Sequence, residues 1–70
     1  MMPLTMASPG EVNYIKRVGG TEEVRNHLAS MGFVTGAGIT VISKLAGNVI
    51  LEVKDTRVAL GEGMANKIMV

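Results

Sequence analysis

Nine glycines punctuate a chain of 70 residues, and the pieces between them are too short for anything but one helix and a set of short strands. Leu4-Thr5-Met6 reads as a first short strand running into Ser8-Pro9-Gly10. There Pro presets φ for the first central position of a turn and Gly accepts φ > 0 at the next, as a type II turn requires. Glu11 to Val18 reads as a strand with Val12 and Tyr14 on one face, although Ile15 and Val18 blur the alternation. Gly19-Gly20 ends it. The segment that follows carries helical signals at every level. Thr21 is placed to cap it, and Glu22 and Glu23 lie where the positive end of the helix dipole favours carboxylates. Val24, Leu28 and Met31 form one apolar stripe, and Gly32 with Phe33 just beyond suits a Schellman-type ending.

After Gly36-Ala37-Gly38 the period changes from helical to alternating. Ile39, Val41 and Ser43 share one strand face, with Thr40, Ile42 and Lys44 on the other. Ala46-Gly47-Asn48 signals a hairpin, and Val49, Leu51 and Val53 alternate on the return strand. Asp55-Thr56 turns the chain into a strand from Arg57 to Leu60, with Val58 and Leu60 inward. Gly61 to Asn66 suits one helical turn, and Lys67 to Val70 a last strand with Ile68 and Val70 inward. Short strands joined by tight turns predict a mainly β domain, a small barrel or sandwich with one inserted helix over about residues 21–31. Barrel closure would remove exposed strand edges. The chain is expected to be a single domain over 1–70, without repeats or linkers.

Composition narrows the function. A net charge of +1 with 19% charged residues is not the footprint of a nucleic-acid binder. The aromatics are Tyr14 and Phe33, and Tyr14 alone makes no stacking platform for single strands. There is no cysteine, hence no disulfide framework and no thiolate metal site. No apolar run is long enough to span a membrane, and the opening Met1–Met6 lacks a signal peptide's basic region. The cytoplasm is the expected location.

Chemistry has few places to sit. The one histidine, His27, falls on the outer side of the helix with no nucleophile in a matching pattern, so no enzyme is expected. Glu23 and His27, at i and i+4, are weak metal-ligand candidates; Glu52, Asp55 and Glu62 lie on other elements, and no cofactor is expected. Gly36-Ala37-Gly38 lacks the strand-to-helix context of a phosphate loop. The six methionines are more suggestive, since flexible thioethers suit adaptable contact surfaces. Ile42, Ala59 and Met69 all alternate outward and together make a candidate apolar partner-binding patch.

Three ordered landmarks then resemble the FeoA family of bacterial ferrous-iron transport. Pro3-Leu4-Thr5 followed by Pro9-Gly10-Glu11 is similar to the family's opening. Leu28-Ala29-Ser30-Met31-Gly32-Phe33 resembles its central R-x-L-x-x-M-G-F/L landmark, although Arg25 here precedes Leu28 by three. Val58-Ala59-Leu60 through Ala65, Ile68 and Val70 is similar to its A-L-x-x-x-x-A-x-x-I-x-V ending. Thr35-Gly36 stands where the family commonly has Pro-Gly, and the hairpin at Ala46-Gly47-Asn48 is shorter than in many members. The resemblance implies an SH3-like β-barrel with an inserted helix. It also implies a binding role beside the membrane transporter FeoB, at its cytoplasmic G domain, and transition-metal binding at the level of the family. The alternative is an interaction module like the C-terminal SH3-like domain of iron-dependent repressors of the diphtheria-toxin-repressor type. No helix-turn-helix accompanies it here, and a chain running from a methionine to its last strand favours the stand-alone form.

Overall fold

The alternating stretch after Gly36 folds as a three-stranded meander, β3 (Gly38–Leu45), β4 (Asn48–Val53) and β5 (Thr56–Gly61), in a computed structural model that describes residues 1–70. Both turns are two residues long and left-handed at both positions. Ala46 and Gly47 hold φ at 52° and 79°, Lys54 and Asp55 at 50° and 61°. This is the primed geometry that matches strand twist. Each turn therefore ends one residue earlier than the sequence suggests: Asn48 already belongs to β4 and Thr56 to β5. Val49, Leu51 and Val53 face inward and are buried, as the alternation predicts.

The segment read as one strand from Glu11 to Val18 is two. β1 (Val12–Tyr14) pairs antiparallel with β3, whereas β2 (Arg17–Val18) pairs with β6 (Ile68–Met69). The break falls at Ile15, which turns inward and is buried, while the Lys16 N–H donates to Met69 O at 2.8 Å. Leu4–Met6 is a 3₁₀ turn and not a strand: the Met6 and Ala7 N–H groups donate to Pro3 O and Leu4 O. Pro3 has no N–H to extend a ladder, and the tight turn buries both Leu4 and Ala7 while Met6 points out.

The helix α1 (Glu22–Ser30) forms where the caps place it. Thr21 Oγ1 accepts from the Val24 N–H at 3.2 Å. At the other end Phe33 N–H donates to Leu28 O and Gly32 N–H to Ala29 O, with Gly32 at φ 97°, which completes the Schellman motif. A second single-turn helix, α2 (Glu62–Ala65), links β5 to β6.

The core is wholly apolar. Leu28 and Phe33 from the helix and its exit pack with Ile39, Val41, Leu51 and Ile68, and no polar side chain is buried. Strand order is β1-β3-β4-β5 in one sheet and β2-β6 in the other. The closed barrel expected from the sequence is thus two sheets around one core. No ladder joins β1 to β5, because the chain leaves β1 after three residues to build the ribbon, and β5 keeps an unpaired edge.

A bulge shapes the far end of β3. Val41 pairs with Leu51 but Ser43 pairs with Ile50, so Ile42 is the extra residue. Ser43 thereby shifts to the outer face with Ile50, contrary to the strict alternation, and Lys44 moves to the inner side. There Lys44 Nζ donates to Thr5 O of the 3₁₀ turn.

Candidate functional site

Cross-strand register decides which outward residues share a surface. Directly opposed residues in an antiparallel pair point to the same face. Ala59 is opposite Ile50, which is opposite Ser43 beside the bulged Ile42. Ile42 and Ala59 therefore belong to one outer-face row bridged by Ile50; Ile42 and Ile50 are half-buried and Ala59 is exposed. Met69 sits elsewhere. It is half-buried on the β2-β6 ribbon opposite Arg17, with Pro3 bridging it from the other side, and no ladder connects it to the row.

The outer face carries a second apolar group that the patch reasoning missed. Val12 is 59% and Tyr14 63% exposed. Both flank Gly38: a Cβ added there would lie 3.4 Å from Val12 Cγ1 and 3.4 Å from Tyr14 Cε1. The tyrosine ring and the valine thus cover the bare backbone of Gly38. The period-2 pattern placed Val12 and Tyr14 together, and only the sheet's packing reveals that their face is the outer one. Val12 heads the row Val12–Thr40–Glu52–Arg57, whose polar members continue across the face beside the Ile50–Ala59 row, with Arg57 Nε and Glu52 Oε2 3.8 Å apart. This is the only ion pair of the molecule, and it is too exposed to contribute much stability.

His27 and Glu23 occupy an exposed face of α1. No third histidine or carboxylate comes near enough to complete a metal-binding group. The His27 carbonyl accepts from Ser30 Oγ at 2.6 Å, which anchors the helix end.

An open cavity of about 430 Å³ lies between the C-terminal end of α1 and the β4–β5 turn, lined by Ala29, Met31, Val53, Lys54, Thr56 and Val58. Gly32 sits beside it, and a Cβ there would meet Val53 and the stem of Lys54 at 3.6 and 3.7 Å, ordinary contact distances, so its φ of 97° and not crowding calls for glycine. No helix is long and apolar enough to cross a membrane.

Comparison with known proteins agrees with this arrangement. Residues 2–70 match the family model of the FeoA domain. The chain is 37% identical over 70 residues to a Methanocaldococcus jannaschii protein named, by inference, Fe(2+) transport protein A, covering all of this chain and 85% of that one. A crystal structure of an iron uptake regulatory protein, FeoA, superposes with TM-score 0.86 at 34% identity over 96% of this chain and 91% of the other. The zinc complex of Stenotrophomonas maltophilia FeoA, described as a procaryotic SH3 domain protein, shares the fold with TM-score 0.84 at 20% identity, over 99% and 88% of the two chains. The same fold makes up 38% of a manganese-dependent transcriptional repressor, covering 94% of this chain at TM-score 0.84 and 20% identity. With the family model spanning all but the first residue, and with the SH3-like architecture matching throughout, the chain belongs to the FeoA family.

Proposed function

We propose that this protein is a cytoplasmic accessory module of ferrous-iron uptake, which docks on the cytoplasmic region of a FeoB-type transporter and biases its conformation or nucleotide cycle. The observation that carries the reading is the outer face of the four-stranded sheet. It leaves Val12 and Tyr14 largely exposed on one side of the Glu52–Arg57 pair and the Ile42–Ile50–Ala59 row on the other, two apolar groups about a polar centre, a surface that suits a protein partner. Family membership supplies the transport context, and the M. jannaschii relative's name specifies Fe(2+). The role proposed is binding: apart from the Glu52–Arg57 pair and the hydroxyls of Thr40 and Ser43, the side chains gathered on this face are apolar. Ile42 and Ala59 are the contact residues proposed within the sheet, with Met69 a separate contact on the ribbon.

Calorimetry of the full chain against the soluble cytoplasmic domain of the transporter, with GDP, a GTP analogue or Fe(II), tests the proposal. Saturable binding is expected, weakened about tenfold or more by Ile42→Lys. Tight Fe(II) binding to the chain alone, with no binding to the transporter domain, overturns it in favour of an ion carrier. A second reading, an interaction module of an iron-dependent repressor, draws on the fold shared with the manganese-dependent repressor. The greater identity to FeoA, 34% over 91% of that chain, favours the transport role.

A further inference from the structure

The open edge of β5 and the cavity beside it form one continuous feature. Val53 and Thr56 flank a two-residue turn, so in such a hairpin they exchange backbone hydrogen bonds. Every second residue from Thr56 then turns its N–H and C=O toward β4. The Glu62 N–H, of the same parity, does donate to Gly47 O at 3.0 Å. Arg57 and Ala59 consequently aim their backbone donors and acceptors away from the sheet, along an edge that no other strand covers. Nothing on this strand blunts the edge. It contains no proline and no bulge, and its one charged side chain is Arg57, which points to the outer face with Glu52.

On the inner side of the same strand, Thr56 and Val58 form one wall of the roughly 430 Å³ cavity, and Ala29 and Met31 at the end of α1 form the other. A strand added beside β5 would lie about 4.8 Å from it, and its alternate side chains would point into this space. The cavity is apolar at Ala29, Met31 and Val58 and polar at its rim, where Ser30, Lys54 and Thr56 stand. We infer that β5 and the end of α1 form a receptor for an extended peptide that sets one apolar side chain between Met31 and Val58, polar side chains at the rim, and a carboxylate near one end. The strand edge supplies the hydrogen bonds, and the Met31–Val58 groove supplies the side-chain pocket, the division of labour of β-strand addition. Lys54 at the mouth of the groove has no carboxylate within ion-pairing distance, so it is free to meet the peptide's acidic residue.

A second copy of this chain fits the site poorly. Pairing β5 with β5 would offer the groove only Thr56, the half-buried Val58, which packs on the partner's own core, and Leu60, which is 6% exposed. An independent peptide has inward side chains to spare. The inference rests on the reading that this protein acts by engaging a partner, and specifies a second contact away from the Tyr14 face.

A random peptide library displayed on phage and selected against the full folded chain tests it, with recovered peptides synthesised and titrated by amide-resolved NMR. The expected peptides carry one apolar residue two positions from a polar one, with Asp or Glu near one end, and shift the amides of Arg57, Ala59, Gly61 and Met31. Methylating the peptide nitrogens that face β5 should weaken binding about tenfold or more, whereas methylating the intervening ones should not. That contrast leaves the protein unaltered, so misfolding does not enter. Ala59→Pro, which removes an edge N–H, should weaken binding to the same degree. Peptides that map to Val12 and Tyr14, failure to recover any peptide, or insensitivity to methylation overturns the inference. So does a wild-type dimer in sedimentation that Ala59→Pro dissolves, since a second copy would then own the edge. The transporter-domain calorimetry is read separately, so either idea can fail alone.

Discussion

Ala46 holds φ at 52° on an exposed turn, a region that L-residues with a Cβ occupy at a cost. Asparagine tolerates it better, and Asn-Gly is the preferred pair for this turn. Ala46→Asn should therefore stabilise the domain by about 0.5–1 kcal/mol and raise Tm by several degrees in a thermal melt. In the core the sign reverses. Phe33 is 1% exposed, and Phe33→Ala should lose about 3–5 kcal/mol in urea denaturation, a large share of what a domain of this size possesses. Phe33 was legible in the sequence because Gly32 stops the helix just before it. The bulge at Ile42 was not. An extra residue in one strand leaves no mark in local composition, so strict alternation sent Ser43 inward when the register sends it out.

α1 spans nine residues, below the length at which an isolated helix holds in water, so its caps and its buried stripe sustain it. Thr21→Ala should cost about 1 kcal/mol, and Thr21→Asp should restore most of it, as read from urea midpoints at constant m-value. This element was the most readable, its predicted bounds of about 21–31 enclosing the observed 22–30. Its signals are all local. The segment from Glu11 to Val18 shows the opposite case. The blurred alternation at Ile15 and Val18 marks an irregularity, but the split into β1 and β2 also needs β6, the last strand, which no window of sequence around Ile15 contains. The 3₁₀ turn at Leu4–Met6 likewise follows from where Pro3 and Met69 meet.

At the level of the whole molecule, the mainly β class and the apolar core were legible, and the sheet edges were not. Alternation tells which residues share a face and says nothing about which face meets solvent, so Val12 and Tyr14 emerged only from packing, and Met69 fell outside the row that joins Ile42 to Ala59. Tyr14→Lys should change stability by no more than about 0.5 kcal/mol, since the ring is largely exposed. The same variant should weaken binding to the transporter's cytoplasmic domain, and the pairing of unchanged melting with reduced calorimetric affinity checks it. The two ends of the molecule have their own consequence. The Met2 N–H donates to Val70 O at 2.8 Å and the Val70 N–H to Met2 O at 2.9 Å, so the polypeptide is almost a ring. Folding must close that ring by the longest loop the chain can make, which is slow. A circular permutant with its ends linked and new termini cut between Gly19 and Gly20, which leaves both turns of the meander intact, would turn this most distant contact into a neighbouring one, and stopped-flow refolding should find it faster than the natural order.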